Sequence, residues 1–78
     1  MGKLWLEKLA AGPSPDCGCY EEEYVVNGLH LILHQEDDGY IEAYVDAGEW
    51  ESQHTLLTKS ISHALCAMIG WIMDLPDE

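Results

Sequence analysis

Cys17-Gly18-Cys19 and four histidines, His30, His34, His54 and His63, are the residues with the greatest capacity for chemistry in this chain. Thiolate and imidazole are the usual zinc ligands, and closely spaced thiols can also serve redox exchange. A structural zinc site needs four ligands, most often arranged as two pairs. Here one Cys-x-Cys pair has no partner pair, and His54 and His63 are its nearest complement, so the spacing predicts neither metal nor cofactor. A redox role is weaker still, because no helix start follows Cys19 to lower its thiol pKa. The third cysteine, Cys66, makes an odd total and sits in an apolar stretch, where it is expected to be a small core residue. No phosphate-binding loop or nucleophile constellation is present, so no enzyme is expected.

The elements that must position these residues follow from turn chemistry and periodicity. Lys3 to Ala11 reads as a short helix with Trp5 and Leu9 on one side, stopped by Gly12-Pro13. Asn27-Gly28 is the strongest two-residue hairpin signal. It pairs Val26 with Leu29, Tyr24 with Leu31 and Glu22 with Leu33 on one face, where Glu22 needs exposure or a partner. For the next turn, a three-residue loop of Asp37, Asp38 and a left-handed Gly39 matches Leu33 to Ala43 and Leu31 to Val45; the other loop lengths set leucines against Tyr44 or Glu42. The core face is then Leu29, Leu31, Leu33, Ile41, Ala43 and Val45. The opposite face carries rows of Glu21, His34 and Glu42, of Glu23, Ile32 and Tyr44, and of Val25, His30 and Asp46.

A final helix is expected from Thr55 to Asp74, after the polar Ser52, Gln53 and His54, with Trp50 stapling its start and Asp74-Leu75-Pro76 ending it. Its stripe is Leu57, Ile61, Ala64, Leu65, Met68 and Ile72. The predicted fold class is α+β: a short N-terminal helix, a three-stranded antiparallel meander and a long C-terminal helix packed on one sheet face, as one domain over residues 1–78. That order resembles the double-stranded-RNA-binding domain, whose RNA-reading surface is basic. This chain has the opposite charge, so the likeness ends at architecture and no direct nucleic-acid binding is expected.

Fifteen acids face three lysines and no arginine, for a formal net charge of −12. Between Lys8 and Lys59 stand Asp16, Glu21, Glu22, Glu23, Glu36, Asp37, Asp38, Glu42, Asp46, Glu49 and Glu51, with no basic residue among them. A field of one sign over a small body repels nucleic acid and anionic lipid, and steers the chain toward basic partners. The apolar share of 47% argues against disorder despite that charge. No apolar run reaches the roughly 18 residues of a membrane span. Glu7 and Lys8 fall where a signal peptide needs an apolar core, which predicts a cytoplasmic protein.

The stretch Ala64 to Met73, ALCAMIGWIM, is apolar nearly all round, and such a helix is normally buried on every side. Either Trp5 and Leu9 cover its back, or Ile69, Trp71 and Met73 form a self-association face and the protein is a homodimer.

A very small, acidic, lysine-poor α+β chain that keeps a core resembles the inhibitors carried by phages and mobile elements, of which the anti-CRISPR proteins are best known. The resemblance is one of class, resting on size, charge and architecture. It implies a non-enzymatic protein acting in the host cytoplasm. Such a protein binds the basic nucleic-acid-binding surface of a defence protein, such as a CRISPR effector component, and competes with nucleic acid. The residues that would meet arginine or lysine are Glu21, Glu23, Glu42, Tyr44 and Asp46, with the loop Glu36, Asp37 and Asp38. The alternative is a homodimeric structural or accessory module, joined through the apolar helix, whose acidity only aids solubility.

Overall fold

Asn27 and Gly28 take φ values of 50° and 86°, the pair of left-handed residues that a type I′ turn requires. In the computed structural model, which describes residues 4–75, they join β2 (Tyr20–Val26) to β3 (Leu29–Gln35). The register is the one the turn dictates: Val26 opposite Leu29, Tyr24 opposite Leu31 and Glu22 opposite Leu33. At the next turn Gly39 has φ 92°, and the Glu36 amide donates to the Tyr40 carbonyl at 2.8 Å. The loop is therefore residues 37–39, and β4 (Ile41–Asp46) sets Ala43 against Leu33 and Val45 against Leu31.

The meander does not stop at three strands. The N-terminal segment expected to be a helix is an extended strand, β1 (Leu6–Pro13), antiparallel to β2. Ser52, Gln53 and His54, expected to lead into a helix, lie in β5 (Glu51–Leu56), antiparallel to β4. The sheet order is β1-β2-β3-β4-β5, followed by one helix, α1 (Ile61–Met73). A five-stranded antiparallel sheet with a single C-terminal helix thus replaces the expected α-β-β-β-α arrangement, and the likeness to the double-stranded-RNA-binding domain goes with it. Lys3, the expected start of the N-terminal helix, and Pro76, the expected stop after α1, lie outside the described residues.

Both corrections have a physical cause. In β1 the register shifts between Lys8 and Ala10, which makes Leu9 an extra residue and breaks the period of two. Apolar residues at 4, 5, 6 and 9 then mimic helical spacing. What holds the segment extended is the neighbouring strand: the Asn27 amide donates to the Trp5 carbonyl and the Trp5 amide to Asn27 Oδ1, both at 2.8 Å. In β5 the alternation is present but polar, with Ser52, His54 and Leu56 facing the helix and Glu51, Gln53 and Thr55 facing away. The helix begins only after Ser60, whose hydroxyl accepts from the His63 amide at 3.3 Å as an N-cap. Leu57, expected in the buried stripe, is 93% exposed as a result.

α1 packs over β3 and β4, closing a core of Tyr24, Val26, Leu31, Leu33, Ile41, Ala43, Val45, Ala64, Met68 and Ile72. Burying each large aliphatic side chain there contributes about 1.5–3 kcal/mol. Leu29, assigned to the core face, packs against this cluster half-buried. Ile61, Ala64, Leu65, Met68, Ile69, Trp71 and Ile72 of the helix turn toward the core, while its outer side presents Ser62, His63, Cys66, Ala67 and Gly70, with Met73 exposed at its end. Cys66 is therefore exposed and is not a core residue. Trp5 and Leu9 lie on the edge strand, 63% and 50% exposed, and do not cover the helix. Trp50 sits in the β4–β5 turn and meets Trp71 edge-on, at 6.4 Å between ring centroids, at the far end of α1 from the start it was expected to staple.

Candidate functional site

With the helix on one side, the other side of the sheet is left open, and five strands order its side chains into three rows. The first runs Gly12, Glu21, His34, Glu42, Thr55; the second Ala10, Glu23, Ile32, Tyr44, Gln53; the third Glu7, Val25, His30, Asp46, Glu51. The rows expected across β2, β3 and β4 are all present. Adjacent strands stand about 4.8 Å apart, so neighbours within a row are within side-chain reach. Six carboxylates, two imidazoles and no lysine share this face among the described residues. Lys8 lies on the helix side, opposite Tyr24 and 3.6 Å from Glu22. Lys59 lies over the Tyr40 ring at 4.9 Å.

The face has two ends with different chemistry. At one, three acids gather about His34, which is only 9% exposed. Its Nδ1 is 2.7 Å from Glu21 Oε2 and its Nε2 is 3.6 Å from Glu36 Oε2. Tyr44 donates to Glu42 Oε1 at 2.7 Å; that bond, with burial and the surrounding carboxylates, pushes the phenol up to about 12 and keeps it a donor. Partial burial and the Glu42 carboxylate push Glu36 above the ordinary carboxylate value. At the other end His30 Nε2 is 3.8 Å from Glu23 Oε2, and Asp46 accepts the Gly48 amide at 2.7 Å. A shallow groove of about 460 Å³ opens there between Ile32, Tyr44, Asp46, Glu51 and Gln53.

Of the residues expected to meet a partner, Glu21, Glu23, Glu42, Tyr44 and Asp46 share the open face, and Glu36 joins its edge. Asp38 is engaged locally, accepting the Tyr40 amide at 3.0 Å. Asp37 points to the preceding loop, where it accepts from the Cys19 thiol at 3.4 Å. Hydrogen bonding to Cys17 and to Asp37 pushes that thiol up to about 12. Glu7, Glu51, Gln53 and Thr55 also belong to these rows: Glu7 and Thr55 fall in segments expected to be helical, Gln53 in the polar stretch expected to lead into the last helix, and Glu51 in no expected element. The strict alternation of ESQHTL, between the Gly48 turn and the Ser60 cap, was the signal available for three of them. The histidines were mispaired as well. His54 packs on Trp71 at 4.4 Å on the helix side and His63 is exposed on α1, whereas His34 stands beside Cys17. Of the three residues assigned to self-association, Ile69 and Trp71 pack half-buried against the core and Met73 is 39% exposed.

No protein-family model, curated protein or solved structure matches the chain. No helix among the described residues is long and apolar enough to cross a membrane.

Proposed function

We propose that this is a non-enzymatic interaction protein that sets its open acidic face into a basic nucleic-acid-binding surface and competes with nucleic acid there. The action is that of an anti-CRISPR-type inhibitor in the cytoplasm. The observation that carries the reading is the segregation of charge: six carboxylates and no lysine on one side of a rigid sheet, among the described residues. A groove built for phosphates presents arginine and lysine at close spacing, and a carboxylate array held by backbone pairing meets them with little loss of freedom. Ile32 and Tyr44, between the two charged rows, add apolar contact and an aromatic ring, which interfaces favour.

The test is capture from host lysate on immobilised protein, with elution by rising salt, followed by a nucleic-acid competition assay on the captured protein. The expected partner is basic, leaves only at high salt, and loses its nucleic acid when this protein is added. Glu42→Lys with Asp46→Lys should weaken capture more than about tenfold and abolish competition. Retention that is indifferent to salt, or to those two reversals, would sink the reading.

A further inference from the structure

Residues 14–19, between β1 and β2, fold back toward the β3–β4 loop and bring together three donor atoms that suit a soft divalent cation. The Sγ atoms of Cys17 and Cys19 and a ring nitrogen of His34 all lie within 4.8 Å of one another. We propose that this corner is a zinc site, with Cys17, Cys19 and His34 as its three protein ligands and a fourth position open to water or to a side-chain shift of Glu36 or Asp37, each of which already stands beside one ligand.

The distances around His34 Nε2 carry the case. Cys17 Sγ stands 3.8 Å from it and Glu36 Oε2 stands 3.6 Å from it. The carboxylate distance is too long for a hydrogen bond. On a tetrahedral zinc ion, with Zn–S of ~2.3 Å and Zn–N or Zn–O of ~2.0 Å, neighbouring ligand atoms are about 3.3–3.8 Å apart. The 3.8 Å sulfur–nitrogen and 3.6 Å oxygen–nitrogen distances each lie within about 0.3 Å of the ~3.5 Å and ~3.3 Å edges that such an ion would set. The 3.4 Å between Cys19 Sγ and Asp37 Oδ1 lies as close to the sulfur–oxygen edge.

The imidazole is already oriented for ligation. Nδ1 stands 2.7 Å from Glu21 Oε2, so the neutral tautomer with its proton on Nδ1 would donate to that carboxylate and turn the Nε2 lone pair toward Cys17 Sγ, 3.8 Å away. A carboxylate on the far ring nitrogen is the usual support of a metal-bound histidine. The ring is also buried, at 9% exposure, on a face otherwise open to water. The loop that brings the thiols is closed on itself. Gly18, at φ 79°, turns the chain between them, its amide donates to the Ser14 carbonyl at 2.9 Å, and the Ser14 amide donates to the Cys19 carbonyl at 2.7 Å.

Binding converts two thiols to thiolates and releases two protons, so the net charge of the corner is unchanged while a dication now holds its anions together. Soft thiolate and imidazole donors select zinc over magnesium or calcium. The ion would clamp the loop before β2 to β3. This inference does not rest on the proposed partner, and its outcome is read on the isolated protein.

The experiment begins with protein purified without chelator or histidine tag, measured for metal content, then stripped and titrated with cobalt(II) and with zinc in competition. One zinc per chain is expected, and the cobalt form should show thiolate charge transfer with ligand-field bands of tetrahedral intensity. Cys17→Ser, Cys19→Ser and His34→Gln should each lower zinc affinity at least about a hundredfold. Glu21→Gln should lower it about 10–100-fold while keeping the tetrahedral spectrum. Cys66→Ser and His63→Gln, on the exposed side of α1, should leave it unchanged. The spectrum of the intact chain decides the matter even if a variant fails to fold, and circular dichroism identifies any that does. A cobalt form without thiolate charge transfer, or full zinc affinity in the folded Cys17→Ser and Cys19→Ser proteins, would overturn the site.

Discussion

Glu22 is the acid that the sheet sends to the helix side, where it is 7% exposed opposite Leu33. Its two oxygens accept from the hydroxyls of Tyr20 and Tyr24, each at 2.5 Å, and Lys8 Nζ is 3.6 Å away. Burial pushes its carboxyl up, but the two phenols and the ammonium outweigh it and hold the group below its ordinary value of 4.5. Burial and the bond to Glu22 push Tyr24 up to about 12, so it remains a donor across the physiological range. A carboxyl lowered by folding adds stability that is fully present above its unfolded value and is lost as pH falls through its folded value. Glu22→Gln should therefore cost about 1–3 kcal/mol at neutral pH, and the gap to the wild type should narrow below about pH 4. Urea unfolding of both proteins at neutral and acid pH measures it; a gap that does not change with pH would contradict the assignment.

At the scale of elements, the turns are the best-determined parts and β1 and β5 the least legible. Asn27-Gly28 and Gly39 each need a backbone conformation that few residues adopt, so a few letters set two hairpins and sort the acids of β2 by face. A β-carbon at position 28 would meet nothing within 4 Å, whereas one at position 39 would stand 3.2 Å from Lys59 Cδ. Gly28→Ala should thus cost the backbone strain alone, about 1–2 kcal/mol. Gly39→Ala should cost more, because the lysine must also leave its place over Tyr40. Thermal denaturation of the two variants ranks them, and equal losses would argue against the packing at Gly39. β1 and β5, by contrast, are strands because another strand lies beside them. Their local sequences, with Glu7, Lys8, Ala10 and Ala11 in one and a run of polar residues in the other, are compatible with helix.

Among the described residues, six carboxylates line the open side of the sheet, while the apolar core lies on the other. A net charge of −12 on 78 residues strains the compact state by self-repulsion. Added monovalent salt screens that repulsion, with a Debye length of about 10 Å at 0.1 M, and should raise the melting temperature of the isolated protein. The same salt should weaken capture of a basic partner, so stability and binding are expected to move in opposite directions. A melting temperature that falls with salt would mean that attractive ion pairs, such as Lys8 with Glu22, dominate over the repulsion.

By itself the sequence determined the central hairpins, their registers, the acids and histidines of the open face and the stripe that α1 buries from Ile61 onward. Those features follow from turn residues and from a period of two or 3.6, which act over a few positions. Only the tertiary structure decided that the meander has five strands, that Glu7 and Glu51 widen the acidic face, and that Cys17 and Cys19 stand beside His34. Each of these depends on a partner many residues away: β2 for the bulged β1, β4 for the polar β5, and the turn at Asn27-Gly28 for bringing His34 back to the cysteines. Local propensity carries no record of such a partner, because the hydrogen bonds and contacts that select the strand state are made only when the sheet assembles.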